Sequence, residues 1–134
     1  IVIPDSVKII GEHAFHHCSA LTKLILPRGI SEIQGTAFWY CTSLKQIALP
    51  ENISQISNQV FQGCVSLRDI YIPKTVKKIG SNAFDRCTSL SNVYFGGSEA
   101  MWNEITISTT DNGNKCLTNP IMNRYWNQNY TCIR

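Results

Sequence analysis

The sequence predicts a repeat solenoid, a right-handed coil with a parallel β ribbon, short return segments and a small α+β cap at the C-terminal end. Three observations support this fold class. Identical residues recur every 23 positions, residues inside each unit alternate like a short strand, and the period stops after Gly97. We therefore predict repeats of about 23 residues over 1–97, the first of them truncated, and a cap and tail over 98–134.

The 23-residue period is carried by four sets of residues in register. These are Pro4, Pro27, Pro50 and Pro73; Phe15, Phe38, Phe61 and Phe84; Cys18, Cys41, Cys64 and Cys87; and Leu21, Leu44, Leu67 and Leu90. Periods of this length are typical of stacked repeats. One unit can bury its inward residues only when neighbouring units cover both sides. We expect the four phenylalanines to form a single interior column.

Each unit begins with a short strand that a proline ends. In Leu44-x-x-Ile47-x-Leu49-Pro50, the alternation turns Ile47 and Leu49 to one side. Equivalent strands, about 4.8 Å apart, should form one parallel ribbon. The predicted strands lie at 1–3, 24–26, 47–49, 70–72 and 93–95.

A second apolar pair in each unit predicts the return segment. Ile53 and Ile56 lie three residues apart, as do Val76 and Ile79, and Gly80 supplies a turn. This spacing indicates a tight return with little room for a full helix.

The repeated pattern resembles a known family. Ile-Pro-x-x-Val-x-x-Ile-Gly-x-x-Ala-Phe-x-x-Cys-x-x-Leu, clearest from Ile72 onward, is similar to the BspA-type (Treponema pallidum type) leucine-rich repeat. The resemblance covers Ile1 to about Gly97, with departures at Gly35 and Ser57. It implies a leucine-rich-repeat coil and an extracellular or cell-surface location.

The segment after Gly97 predicts a cap over the last repeat. Ser98 and Glu99 indicate an N-capped short helix, 105–107 alternates like a strand, and 111–114 indicates a turn. A solenoid needs its last apolar layer covered. The candidates for this cover are Trp102, Ile105, Ile107, Leu117, Tyr125 and Trp126.

Composition and charge exclude several kinds of partner. The net charge of +3 comes from scattered basic residues, which argues against nucleic acid as a partner. The sequence has no run of about 18 apolar residues, so we expect no membrane insertion of this segment. The chain opens on Ile1 without Met or a signal-like core, and we expect it to be part of a longer protein.

The cysteines and histidines provide little evidence for a metal site. Four cysteines in one phase form a line and cannot surround an ion, so we interpret them as buried thiols. Cys116 and Cys132 could form a disulfide, and the alternative is that both are unpaired thiols. His13, His16 and His17 occupy variable polar positions that favour a solvated loop, with metal binding as the alternative.

We find no catalytic constellation and expect neither enzymatic activity nor a cofactor. The sequence lacks a phosphate loop or a nucleophile elbow, and Asp69 is the only carboxylate on the predicted ribbon face. A hydrolase that uses two carboxylates would need a second one beside it.

The outward side of the ribbon is the candidate binding surface. Tyr71 and Tyr94 should lie on neighbouring strands beside polar residues, a composition that interfaces favour. The predicted partner-binding residues are Lys23, Gln46, Arg68, Asp69, Tyr71, Asn92 and Tyr94. We expect a protein partner, host or bacterial, with a glycan as an alternative. An ordinary solvated sheet face, and a passive spacer function, are the other interpretations, and Trp39-Tyr40 is a second candidate surface.

Overall fold

The computed structural model describes residues 1–110, 113–130 and 133, which form short strands and two short helices. The elements in chain order are β1 (Ile9–Ile10), β2 (Glu32–Ile33), β3 (Gln46–Ala48), β4 (Gln55–Ile56), β5 (Asp69–Ile72), β6 (Lys78–Ile79), β7 (Asn92–Phe95), α1 (Glu99–Asn103), β8 (Thr106–Ile107), α2 (Lys115–Thr118) and β9 (Asn123–Tyr125). Every strand pair is parallel. The chain is therefore a solenoid, as the period predicts.

The predicted ribbon, here called ribbon A, consists of β3, β5, β7 and β9 in that order. Its inward residues Ile47, Ile70 and Val93 lie in the main core, whereas Ala48 and Tyr71 belong to a separate cluster on the other side, which confirms the alternation. The strands expected at 1–3 and 24–26 are absent, and only a bridge from Lys23 to Gln46 extends the sheet. This expectation was wrong, because a single bridge is too few hydrogen-bonded pairs to form a strand before β3.

A second parallel ribbon, ribbon B, runs along the return segments. Strands β1 and β2 pair with each other, and β4, β6 and β8 form a three-stranded sheet. Each strand of ribbon B has two residues, and in the first four of them an exposed residue precedes a buried isoleucine. Two residues are too few to show an alternation in the sequence, so the prediction contained only a tight return.

The phenylalanines form the expected interior column. Their ring centroids are 5.2 Å apart between Phe15 and Phe38, and 5.5 Å apart from Phe38 to Phe61 and from Phe61 to Phe84. The backbone N–H groups of Phe15, Phe38 and Phe61 each donate to a carbonyl of the next repeat. Phe15 is half-buried and packs against the core.

The segment after Gly97 continues both ribbons. Ser98 caps α1 by accepting a hydrogen bond from the Met101 N–H at 3.2 Å, as predicted. Strand β8 pairs with β6, and β9 pairs with β7. Trp102, Ile105 and Leu117 are buried against the last repeat.

The remaining predictions for this segment concern Trp126, Ile107, Tyr125 and the turn. Trp126 and Ile107 are partly buried and pack against the core. Tyr125 is 42% exposed, so its assignment to the cover was wrong. The turn expected at 111–114 includes Asp111 and Asn112, which lie outside the described residues.

Asn114 accepts the last of the hydrogen bonds that the phenylalanine N–H groups donate along the solenoid. In earlier repeats the phenylalanine N–H donates to a backbone carbonyl, whereas Phe84 N–H donates to the Asn114 side-chain oxygen at 3.2 Å. The Asn114 amide nitrogen donates to the carbonyls of Gly80 at 2.8 Å and Ser108 at 2.9 Å. Asn114 is 2% exposed, so these bonds satisfy polar groups that water does not reach.

Candidate functional site

The outward side of ribbon A, here called the ribbon face, carries two columns of side chains. Strand register places Gln46, Asp69, Asn92 and Asn123 in one column. It places Ala48, Tyr71, Tyr94 and Tyr125 in the other. The structure thus brings most of the predicted partner-binding residues onto one surface, and Asn123 and Tyr125 of β9 extend it.

The polar column is joined by side-chain hydrogen bonds. Asn92 donates to Asp69 at 2.6 Å, and Asn123 donates to Asn92 at 3.0 Å. Arg68 Nε lies 3.2 Å from the other Asp69 oxygen. Asp69 is only 8% exposed, so its carboxylate has lost most of its water. The hydrogen bonds from these donors offset the free-energy cost of that loss.

Part of the ribbon face is covered by the chain itself. Tyr71 is 1% exposed, and Ala48 is also buried, because Tyr130 packs on both. The rings of Tyr71 and Tyr130 meet edge to face, with centroids 6.3 Å apart. The expectation that Tyr71 and Asp69 are open to solvent was therefore wrong. The tail that covers Tyr71 is distant in sequence, so the repeat pattern carries no sign of it.

The C-terminal tail, described at residues 127–130 and 133, is held by polar and aromatic contacts. The Tyr130 hydroxyl donates to the Leu26 carbonyl, and Arg28 lies over the Tyr130 ring at 5.2 Å. Gln46 donates its side-chain amide to the Ile133 carbonyl at 2.7 Å. Tyr130 was not foreseen from the sequence, because its partner Leu26 lies 104 residues away.

The remainder of the ribbon face is accessible and is here called the open patch, comprising Arg68, Asn92, Tyr94, Asn123 and Tyr125. Tyr94 and Tyr125 stack with centroids 4.9 Å apart and planes 13° from parallel. Tyr125, Arg68 and Asn123 are exposed, while Asn92 and Tyr94 are half-buried. Lys23 is also exposed, at the opposite end of ribbon A.

The second candidate surface, Trp39-Tyr40, packs on histidines of the preceding repeat. His16 stacks on Trp39 at 5.0 Å, and His17 stacks on Tyr40 at 5.3 Å. Desolvation and then the charges of His17 and His13 lower the pKa of His16. Within the described part of the chain, no group of three or more His, Cys, Asp or Glu residues could hold a metal ion.

Three thiols of the cysteine column are buried and donate to backbone carbonyls, whereas Cys18 is half-buried, so the expectation of buried thiols was wrong at this position. The sulfurs of Cys41, Cys64 and Cys87 lie 3.0–3.2 Å from phenylalanine carbonyls of the preceding repeat. Burial raises the pKa of Cys41 to about 11 and that of Cys64 to about 12. Cys116 makes a similar, longer contact to the Phe84 carbonyl at 3.9 Å. Its proposed partner Cys132 lies outside the described residues.

We expect the buried thiols to resist alkylation in the folded chain. At pH 8 a thiol with a pKa near 12 is ionised in roughly one molecule in ten thousand, and only the thiolate is nucleophilic. Iodoacetamide should label Cys41, Cys64 and Cys87 at least about 100-fold more slowly than in guanidinium chloride, as measured by peptide mass spectrometry. Half-buried Cys18 is the internal control and should react faster than these three. Equal rates at all four cysteines would contradict the burial.

The chain resembles known proteins in sequence and in structure. The model of the BspA type leucine-rich repeat region matches residues 1–112 in six copies. A leucine-rich cell surface protein from Faecalibacterium prausnitzii is 35% identical, with a TM-score of 0.62 over 78% of this chain and 34% of that chain. A leucine-rich repeat protein from T. pallidum is 38% identical, with a TM-score of 0.64 over 78% of this chain and 53% of that chain.

A third solved structure is similar in fold alone. It is a leucine-rich repeat protein from Bacteroides ovatus, 22% identical, with a TM-score of 0.55 over 66% of this chain and 35% of that chain. No curated protein sequence matches the chain. The chain therefore spans between about a third and about half of the length of the proteins it resembles. Neither helix in the described ranges has the length and hydrophobicity needed to span a bilayer.

Proposed function

Since the chain belongs to the BspA-type leucine-rich repeat family, we propose that it is a protein-interaction or adhesion module that binds a partner through the ribbon face. Its location would be extracellular or at the cell surface, as for the F. prausnitzii protein, which is described as a cell surface protein. The partner would be a host or bacterial protein, and a glycan is the less favoured alternative. The module would act without a cofactor and without catalysis.

The open patch is the observation that carries this proposal. Stacked Tyr94 and Tyr125 offer a rigid aromatic surface, and Arg68 is exposed beside it. Tyrosine and arginine are the residues that contribute most often to binding energy at protein interfaces, and their rims are polar. Asn92 and Asn123 would supply that polar rim.

The predicted site residues would then divide into two groups. Arg68, Asn92, Tyr94 and Lys23 would contact a partner directly, because each is exposed or half-buried. Asp69 would act by positioning Arg68 and Asn92, to which it is hydrogen-bonded. Gln46 and Tyr71 would contact a partner only after the tail moves away, since both touch it.

The substitution Tyr94→Ala tests the role of the open patch. We expect it to weaken binding to any partner found in a screen of extracellular host and bacterial proteins by about 5–30-fold, or about 1–2 kcal/mol. Surface plasmon resonance on the purified chain would measure the change. Ile9→Ala is the control, because Ile9 is an exposed apolar residue of ribbon B and lies outside ribbon A. Equal affinity in the wild type and Tyr94→Ala would contradict the proposal.

A passive spacer that carries another domain is the second candidate function. The observation that favours it is the burial of Tyr71, which leaves less of the ribbon face for recognition than the sequence predicts. A screen that yields no partner, together with a catalytic domain in the flanking gene sequence, would support the spacer.

A further inference from the structure

We propose that the covered part of the ribbon face is a peptide-binding groove. Its ligand would be a segment of a partner protein that carries a tyrosine followed three residues later by an aliphatic residue. The chain's own Tyr130 and Ile133 occupy this groove until such a segment displaces them. This inference rests on the proposed function and adds the chemistry of the partner.

The tyrosine position is a specific pocket. Tyr130 is 3% exposed, and its ring packs on Ala48 and on the edge of Tyr71. Its hydroxyl reaches the Leu26 carbonyl, and the Arg28 guanidinium lies over its face. A buried ring whose hydroxyl finds an acceptor selects tyrosine over phenylalanine, because phenylalanine would leave that carbonyl without its donor.

The aliphatic position is recognised through the main chain. Gln46 donates its side-chain amide to the Ile133 carbonyl, a contact that any residue at this position can provide. Ile133 packs near Tyr71 and Ala48, so the position favours an apolar side chain. The cavity left between the groove and the tail is about 10 Å³, which is barely the volume of one water molecule. Tyr130 and Ile133 therefore fill the groove.

The tail is attached in a way that permits its release. Strand β9 and Trp126 precede it and are packed on the body of the solenoid, with Trp126 in contact with Phe95 and Trp102. Asn127 then adopts the left-handed conformation, with φ of 56°, at which the chain turns. The Asn127 N–H donates to the Gly97 carbonyl at 2.9 Å and the Gln128 N–H donates to the Phe95 carbonyl at 2.8 Å, so the chain is anchored as far as Gln128. Tyr130 and Ile133 can leave the groove without breaking these two bonds, and the tether gives them a high effective concentration against a free peptide.

The test uses the full chain and a labelled peptide. The peptide has the sequence of residues 127–134 with serine in place of Cys132, and its binding is followed by fluorescence anisotropy. We expect the Kd for Tyr130→Ala to be at least about tenfold lower than for the wild type, because its own tail no longer competes. Ile121→Ala is the control and should behave like the wild type, because Ile121 is 84% exposed and lies before β9. The same peptide with alanine in place of tyrosine should not bind.

Two further measurements keep the proposal falsifiable. Tyr130→Phe loses only the hydroxyl contact with Leu26 and should give an intermediate Kd, which covers the case that Tyr130→Ala fails to fold. Size-exclusion chromatography should show a monomer. A dimer that exchanges tails would overturn the proposal, because the occupant would be a second copy. Equal Kd values in the wild type, Tyr130→Ala and Tyr130→Phe would overturn it as well.

The results separate this inference from the proposed function. A peptide that binds Tyr130→Ala as expected, with no partner sensitive to Tyr94→Ala, supports the groove and contradicts the open patch. A partner that is sensitive to Tyr94→Ala but binds Tyr130→Ala no more tightly than the wild type contradicts the groove alone.

Discussion

Replacing Phe61 with alanine should lower the free energy of unfolding by about 3–5 kcal/mol. Phe61 is fully buried and stacks between Phe38 and Phe84, with ring centroids 5.5 Å away on each side. Neither neighbour can move into the space, because each is held by its own repeat. The substitution therefore removes apolar contacts and leaves a cavity. Urea denaturation followed by circular dichroism would measure the loss.

Phe15→Ala is the matched control for this prediction. The Phe15 ring packs on Phe38 but belongs to the first repeat, and it is only half-buried. We expect a loss of about 1–2 kcal/mol, since less surface is withdrawn from water and no closed cavity forms. Similar losses at the two positions would contradict an interior column in which burial increases away from the first repeat.

Asn114→Ala should lower the free energy of unfolding by about 2–4 kcal/mol. The substitution removes the acceptor for Phe84 N–H and the donor for the carbonyls of Gly80 and Ser108. These groups lie beside a side chain that is 2% exposed, so water cannot replace the lost bonds without rearrangement. Hydrogen exchange should increase first in β6 and β8, because Asn114 joins Gly80 to Ser108.

Asn103→Ala provides the comparison for Asn114. Asn103 is exposed at the end of α1, and alanine favours helix, so the expected change is within about 0.5 kcal/mol. If Asn114→Ala were as mild as Asn103→Ala, the side chain of Asn114 would not close the last repeat in solution.

The ribbon face shows where prediction from the sequence succeeded. Alternation placed Ile47 inward and Gln46 outward, and the period placed Tyr71 beside Tyr94 on neighbouring strands, in agreement with the strand register. Whether these residues bind a partner remains a prediction. The stacking of Tyr125 on Tyr94 was not foreseen, because β9 lies outside the repeat pattern and its register has no sequence signal.

The sequence also did not predict ribbon B or the left-handed turns. In the repeats, residues with positive φ form two columns, and all but one of them are not glycine. The first column is His13, Thr36, Gln59 and Asn82, and the second is His17, Tyr40, Gly63 and Arg86. Glycine is the residue that usually marks this conformation. Backbone hydrogen bonds to the next repeat hold these turns instead, as at Gln59 and Tyr40. Such bonds exist only once the repeats are stacked.

The sequence by itself determined the coil, because an apolar residue repeated every 23 positions can be buried only if each turn of the chain stacks on the last. It determined the phenylalanine and cysteine columns for the same reason. The tertiary structure alone decided that Tyr130 covers Tyr71 and that Asn114 replaces a backbone carbonyl. Both contacts join residues that are far apart in the chain or outside the period, so they depend on the path of the folded chain and leave no local pattern.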